Sequence, residues 1–242
     1  MQLMFCHVYT SSGRRETFLV LAVCKDSIVT VLVGNGTMID GLRTSITDIR
    51  SLIKTVTLFD TKTIELKGAC GSGEVHIAMV TTDLQEAIAD VKLILVAVPS
   101  FAHNSYAQKL AEVVKPGQIV LVLPGTFGSL IFWKEFKKKN IKDVVVAESH
   151  TLPYATRLTG PGQSLIMSRF NPLKIGVMPS SRTEETMAEL EGLFEGIEPV
   201  ESVIACGLSS LNPIIHVPGC ILNAGRIELA KGEFYFYTEG FT

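Results

Sequence analysis

Short apolar runs, each cut off by glycine, proline or a charge, recur along the chain and limit it to one broad class of fold. Ile28–Val33 runs into Gly34-Asn35-Gly36, Leu93–Val98 stops at Pro99, Ile119–Leu123 stops at Pro124-Gly125, and Val144–Ala147 stops at Glu148. Strands that are apolar on both faces belong to parallel sheets covered by helices. Helical patterns alternate with these runs. Met38, Leu42, Ile46, Ile49 and Ile53 recur at spacings of 4, 4, 3 and 4, one face of a helix, and Thr55–Phe59 then reads as a strand ending at Asp60. Ser105–Val114 and Ser129–Lys139 read as helices, with Lys137-Lys138-Lys139 facing water near a helix C-terminus. Ile64–Gly73 is hairpin-like, Val75–Val80 reads as a strand and Leu84–Ala89 as a short helix. Leu173–Val177, a helix over Glu184–Phe194 and a strand over Val200–Ile204 extend the pattern. The prediction is an α/β fold with a doubly wound, Rossmann-like sheet.

Composition narrows the class of function. Of 242 residues, 47% are hydrophobic and the formal net charge is −2. The apolar content excludes a disordered chain. Near-neutral charge argues against nucleic-acid binding, which needs a basic stripe. Mean hydropathy is +0.33. The uninterrupted apolar runs Phe18–Cys24, Leu93–Pro99 and Ile119–Pro124 nevertheless fall far short of the roughly 20 residues of a membrane span. Buried strands account for the hydropathy, and no membrane is expected. Five cysteines at scattered spacings, with no C-x-x-C, point to reduced thiols and a cytoplasmic protein. Arg14-Arg15 before Phe18–Cys24 faintly resembles an export signal, set against the plainer reading of a buried strand.

Three regions follow. Residues 1–26 match neither period and form an extension of unknown role; 27–206 form the dinucleotide-binding domain. Residues 207–242 begin a helical region, with Ser209–Leu229 a long helical candidate interrupted by Pro213 and Pro218. That last stretch is too short to stand as a domain alone.

The candidate chemistry lies where strands end. A glycine turn between strand and helix lets a phosphate approach free N–H groups at a helix N-terminus. Gly34 and Gly36 are so placed, and Asp60 could accept both ribose hydroxyls, which favours NAD. The third glycine of the fingerprint is missing, Ile39 standing there, so an ordinary tight turn remains an alternative. Ligands of open α/β sheets bind beyond the carboxyl ends of strands. This makes Pro99, Phe101, His103, Pro124, Gly125 and Thr126 candidate cofactor contacts, the alternative being plain connecting loops. His216 sits in the apolar stretch Asn212–Pro218, where a core histidine competes with a catalytic one. The flanking prolines would break helical hydrogen bonding and expose the imidazole. The five histidines lack metal-ligand spacing, and no metal is expected.

Several segments together resemble the opine dehydrogenases of the octopine/nopaline type. They are Val80–Asp83, Ile94–His103, Leu121–Gly128, Glu148–Arg157, Asn212–Glu228 (NPIIHVPGCILNAGRIE) and Phe234–Thr242 (FYFYTEGFT). The resemblance implies an NAD- or NADP-dependent reductive condensation of an amino acid with a 2-oxo acid such as pyruvate. It implies that His216 is the catalytic histidine. Pro99–His103 and Pro124–Gly128 would line the cofactor, while Glu148 and Asn212 would lie at the substrate. In the family a later aspartate orients the histidine and an arginine grips the oxo acid. The resemblance therefore implies a sheet followed by only the first helices of an all-α substrate domain, a chain truncated at its carboxyl end. An uncovered apolar helix face there would favour self-association. Two further readings compete: an inactive dinucleotide-binding remnant, and a ketopantoate or glycerol-3-phosphate type reductase. The latter usually places a lysine in the catalytic role, and none lies between Lys174 and Lys231.

Overall fold

The computed structural model describes residues 19–20, 29–33, 63–69, 71–76, 84–89, 91–98, 100–160, 163–191, 193–194, 196–230 and 234–240. It divides into two compact units, Met1–Leu208 and Ser209–Thr242. Gly34, Gly36, Asp60 and Pro99 lie outside the described residues, as does the helix expected over Met38–Ile53.

The first unit is built on a seven-stranded sheet in the order β1 (Leu19–Val20), β2 (Val29–Val33), β5 (Leu93–Ala97), β6 (Ile119–Val122), β7 (Val145–Ser149), β10 (Leu173–Met178) and β11 (Ile197–Pro199). Strands β2, β5, β6 and β7 run parallel, the Rossmann-like core the strand pattern predicts. β1 and β10 are antiparallel to their neighbours β2 and β7. Every residue of β6 and β7 is buried, which is why Ile119–Val122 and Val145–Ala147 read as apolar runs, while Glu148 and Ser149 are buried polar residues.

Helices cover the sheet. α1 (Leu84–Ala87), α2 (His103–Val113) and α3 (Gly128–Lys138) set Ile88, Leu110, Phe132 and Phe136 against Ile94, Val96, Val120 and Val146. One polar side chain stitches this layer. Gln118 is buried, donates through Nε2 to the carbonyls of Ile88 and Val91 (both 2.7 Å), and accepts from the Lys115 N–H (2.8 Å). It supplies partners to three backbone groups, those of Ile88 and Val91 in buried residues.

Two features depart from the sequence reading. Strand β3 (Thr63–Gly68) and β4 (Gly73–His76) do form a hairpin, but within a second, four-stranded sheet, order β4-β3-β9-β8, shared with β8 (Tyr154–Gly160) and β9 (Gln163–Arg169). The β3–β9 pairing joins segments about a hundred residues apart, beyond the reach of any local pattern. The strand expected over Val200–Ile204 is instead the turn into α5 (Val203–Leu208), which follows α4 (Thr183–Leu190) and β11. The Ser202 hydroxyl accepts from the Ala205 N–H at 3.1 Å and starts the helix. Gly176 admits it: a Cβ there would stand 2.8 Å from the Val203 Cα and the Cys206 Cβ.

The second unit holds α6 (Leu211–Leu222), α7 (Ala224–Leu229) and α8 (Phe236–Glu239). The expected interruptions do not occur. Pro213 sits in the first turn of α6, where an N–H has no helical partner to lose, and the helix continues through Pro218. The break falls at Asn223. By length and composition Val203–Leu222 would suit a membrane span, at mean hydropathy 1.4. Its first part, however, packs against β10 and β7 as a core helix.

Gln118→Leu should therefore cost about 1–3 kcal/mol, because the carbonyls of Ile88 and Val91 stay buried without donors. Urea unfolding of the variant beside wild type measures this.

Candidate functional site

Strands β5, β6 and β7 deliver three loops to one edge of the sheet. After β5 the chain makes a 3-10 turn, Ser100–Ala102, whose Phe101 is 67% exposed. After β6, Pro124 follows a cis peptide bond and leads through Thr126 (φ 48°) and Phe127 (φ 65°) into α3. After β7 come His150 and Thr151, both buried.

The expected contacts separate into two groups. Phe101, Pro124 and Thr126 stand at the rim, exposed or half-buried. His103, Glu148 and Gly125 do not. His103 is 1% exposed; its Nε2–H donates to the Val98 carbonyl at 3.3 Å and its ring meets Phe132 edge-on at 6.1 Å. Burial holds it below the ordinary imidazole range, so it stays neutral. Glu148 is fully buried, and its carboxylate accepts from the Ser129 hydroxyl (2.7 Å), the Ser129 N–H (3.1 Å) and the Phe127 N–H (3.3 Å). The side chains of His103, expected at a cofactor, and Glu148, expected at a substrate, are buried and hydrogen-bonded within the fold.

The same contacts explain the glycines. A Cβ at Gly125 would lie 2.2 Å from the Glu148 Cβ, and one at Gly128 would lie 2.4 Å from His103 Nδ1. These positions are open for Glu148 and His103, not for a bound ring. Burial raises the Glu148 carboxyl above its usual range, against the opposing pull of its hydrogen bonds to Ser129 and Phe127. Because Glu148 already caps α3, a ligand phosphate has no claim on that helix N-terminus.

His150, beside them, accepts from the Lys174 N–H through Nδ1 at 3.1 Å, and burial lowers its pKa. Cys206 donates to the Glu148 backbone carbonyl at 3.2 Å; burial, and then the nearby Glu148 charge, push its thiol up to about 12, so it is no nucleophile.

In the helical unit His216 is half-buried on α6. Its ring stacks on Phe236 at 5.4 Å and meets Tyr237 edge-on at 5.7 Å, and the Tyr237 hydroxyl lies 3.2 Å from Nε2. Residues the sequence reading did not single out hold this arrangement. The Asn223 amide donates to the carbonyls of Gly219 (2.9 Å) and Gly240 (3.1 Å). Arg226 donates to the Asn223 side chain (3.3 Å) and to the Glu239 carbonyl (2.7 Å). Together they tie α8 to α6 and α7. The signal available was the Asn-x-x-Arg spacing of 223 and 226, one helical turn, in the segment that carries the family resemblance. Asn212 is exposed in the first turn of α6. Among the described residues no group of histidine, cysteine and carboxylate side chains could hold a metal.

Comparison with known proteins points one way. A family model described as NAD/NADP octopine/nopaline dehydrogenase, alpha-helical domain, matches residues 199–242. One described as NAD-dependent glycerol-3-phosphate dehydrogenase N-terminus matches residues 74–163. An opine dehydrogenase of Arthrobacter sp. (strain 1C) is 27% identical over 172 residues, 71% of this chain and 48% of that protein. The tauropine dehydrogenase of Arabella iricolor is 25% identical over 165 residues, 62% of this chain and 41% of that protein. Among solved structures, yersinopine dehydrogenase with NADP+ bound superposes with a TM-score of 0.64 at 16% identity, covering 78% of this chain and 46% of that one. An octopine dehydrogenase with NADH and L-arginine gives a TM-score of 0.56 at 19% identity, covering 70% and 44%. The chain spans about half the length of the curated relatives it matches. The fold, and the resemblance to the opine dehydrogenases, are borne out.

Two outcomes follow from the Glu148 cap. Gly125→Ala should cost about 1–3 kcal/mol, since the added methyl overlaps Glu148; urea unfolding reads it. A carboxyl raised on folding means the native state binds more protons, so its contribution is full below the ordinary carboxyl pKa and falls as pH rises. Relative to wild type, Glu148→Gln should therefore gain stability as pH rises from about 4 to about 8. Thermal melts across that range would show a flat difference if Glu148 ionised as freely folded as unfolded.

Proposed function

We propose that this chain, with an opine-dehydrogenase sequence in its helical unit and a Rossmann-like sheet before it, acts in the reductive condensation of an amino acid with a 2-oxo acid. The observation that carries this is His216. It stands half-exposed on α6, within the segment matched to the octopine/nopaline dehydrogenase helical domain, with a phenol at its Nε2. An imidazole so placed can serve as a proton donor and acceptor.

The residues of the sheet edge suit a dinucleotide, NAD or NADP. Phe101 is an exposed aromatic beyond β5, and Pro124 and Thr126 are half-buried beyond β6. Glu148 already holds the N-terminus of α3. The pyrophosphate is accordingly assigned to Gly34 and Gly36, which follow β2 in the sequence, with Asp60 for the ribose and Pro99 as a further contact, all four outside the described residues. The cofactor, when bound, supplies the hydride. The remaining work falls to the chain. His216 gives a proton to the oxo-acid oxygen that leaves as the amine condenses, and recovers it afterwards. Asn212, one turn before His216 on the same helix, faces solvent where a polar substrate group can meet it.

The amino acid and the oxo acid are the partners, and the cytoplasm is the proposed location. Leu211, Ile214, Val217 and Ile221 are all at least 40% exposed on α6, which supports self-association.

The test is a turnover assay following loss of NADH or NADPH. Oxidation should require an amino acid and a 2-oxo acid together, and His216→Ala should lower it by at least about 100-fold. Turnover with the oxo acid alone, or an undiminished variant, would overturn the assignment.

A further inference from the structure

Sites that take small ligands join an apolar floor to a few placed polar groups. Such a cleft opens at the amino end of β7, the end of that strand away from Glu148. Its volume is about 180 Å³. Phe136 and Val144, both buried, form the floor, and Trp133 and Ile141, both half-buried, form the walls. The backbone around it is tied down. At the end of α3, Asn140 takes the left-handed region (φ 55°); its N–H donates to the Lys137 carbonyl, and the Ile141 N–H donates to the Phe136 carbonyl, both at 3.0 Å. This turn brings Ile141 back over the last helical turn and engages carbonyls that would otherwise turn an anion away. Asp143 is left-handed too (φ 57°). Its carbonyl accepts from the Gly117 N–H at 2.6 Å, and its carboxylate accepts from Arg182 at 2.8 Å. The walls are therefore set before a ligand arrives, and little ordering cost remains to be met by binding.

The rim sets the charge of the occupant. Lys137 and Lys142 line the cleft, and neither has a carboxylate partner among the described residues. Their neighbours are spent: Lys138 is paired with Glu135 at 2.6 Å and Lys139 with Glu112 at 2.8 Å. Asp143, the carboxylate among the lining residues, is bound to Arg182. Lys137 Nζ stands 4.7 Å from the centre of the Trp133 ring, so a cation–π contact holds the ammonium beside the cleft. An ammonium has three N–H donors, which leaves some free for an anion. We infer that this cleft is a binding site for a small aromatic carboxylate, its ring against Trp133, Phe136, Ile141 and Val144 and its carboxylate at Lys137 and Lys142. The size fits: an apolar cavity of about 150 Å³ takes a benzene ring, and the charged group then stands at the mouth. No covalent step is involved, and the inference does not rest on the proposed function.

Trp133 is the sole tryptophan of the chain, so its emission reports on this cleft alone. The experiment titrates the intact protein with benzoate, following that emission and the heat of binding together. Both should saturate with one Kd on the order of 1 mM, as a ligand of so few atoms allows. Benzyl alcohol and benzylammonium, which keep the ring and change the charge, should bind at least about 10-fold more weakly. Acetate, which keeps the charge and lacks the ring, should give no saturation. Lys137→Gln with Lys142→Gln should raise the Kd for benzoate by at least about 10-fold. Lys134→Gln with Lys138→Gln removes the same charge from α3 outside the cleft and should leave that Kd within about twofold. All four lysines are exposed, so the fold tolerates these changes. An emission that never saturates with benzoate overturns the inference. So does equal binding of benzyl alcohol, benzylammonium or acetate, a Kd unmoved by the Lys137 and Lys142 changes, or an equal loss in the Lys134 and Lys138 control.

Discussion

A carboxylate with no exposed surface must find donors inside the protein, and Glu148 finds them at the start of α3. Three groups converge on it: two backbone N–H groups and one hydroxyl. Glu148 belongs to β7, while its donors belong to the turn after β6 (Phe127) and the first turn of α3 (Ser129), so the bonds lock one strand end to the preceding helix. Gly125 exists in its present form because the carboxylate needs that space. The left-handed backbone at Thr126 and Phe127 turns the N–H groups inward. Cys206 closes the other side by donating to the Glu148 carbonyl, which places α5 against the sheet. Remove the carboxylate and α3 and the turn before it lose a fixed neighbour.

The cost of that arrangement is visible in the raised carboxyl pKa, since burial disfavours the charge more than the hydrogen bonds restore it. What the protein gains is a stiff sheet edge. His103 does the same for β5, pinned between the Val98 carbonyl, Gly128 and Phe132. Of the expected contacts among the described residues of these loops, Phe101, Pro124 and Thr126 are the ones exposed or half-buried. A binding edge made of a few groups on a rigid frame holds its geometry better than one made of many mobile ones.

The helical unit works on the same principle with different chemistry. Asn223 and Arg226 spend their hydrogen bonds on Gly219, Gly240 and Glu239, and so fix α8 where its aromatics frame His216. The two prolines of α6 matter less than their place in the sequence suggests. Pro213 falls where a helix tolerates it and Pro218 is absorbed, so the imidazole owes its exposure to its place on the helix face, not to a break.

Much of the sheet was legible because β5, β6, β7 and β10 are apolar on both faces, a property each strand carries alone. The helices over 103–113 and 128–138 were legible for the same reason, through their 3.6-residue period. The β8–β9 hairpin was not, since its partner β3 lies far back in the chain. Val200–Ile204 reads as a strand because Val200, Val203 and Ile204 are β-branched, until Gly176 and Ser202 are seen beside the helix that starts at Val203. The amino-acid sequence by itself determined the alternation of strand and helix, the family resemblance of Asn212–Glu228 and Phe234–Thr242, and the presence of an imidazole in an apolar helix. The tertiary structure decided which side chains are spent inside and which are left for a ligand. Glu148 and His103 went inward and Tyr237 came to His216. A residue's chemistry is local, but the group standing opposite it is chosen by segments tens of residues away.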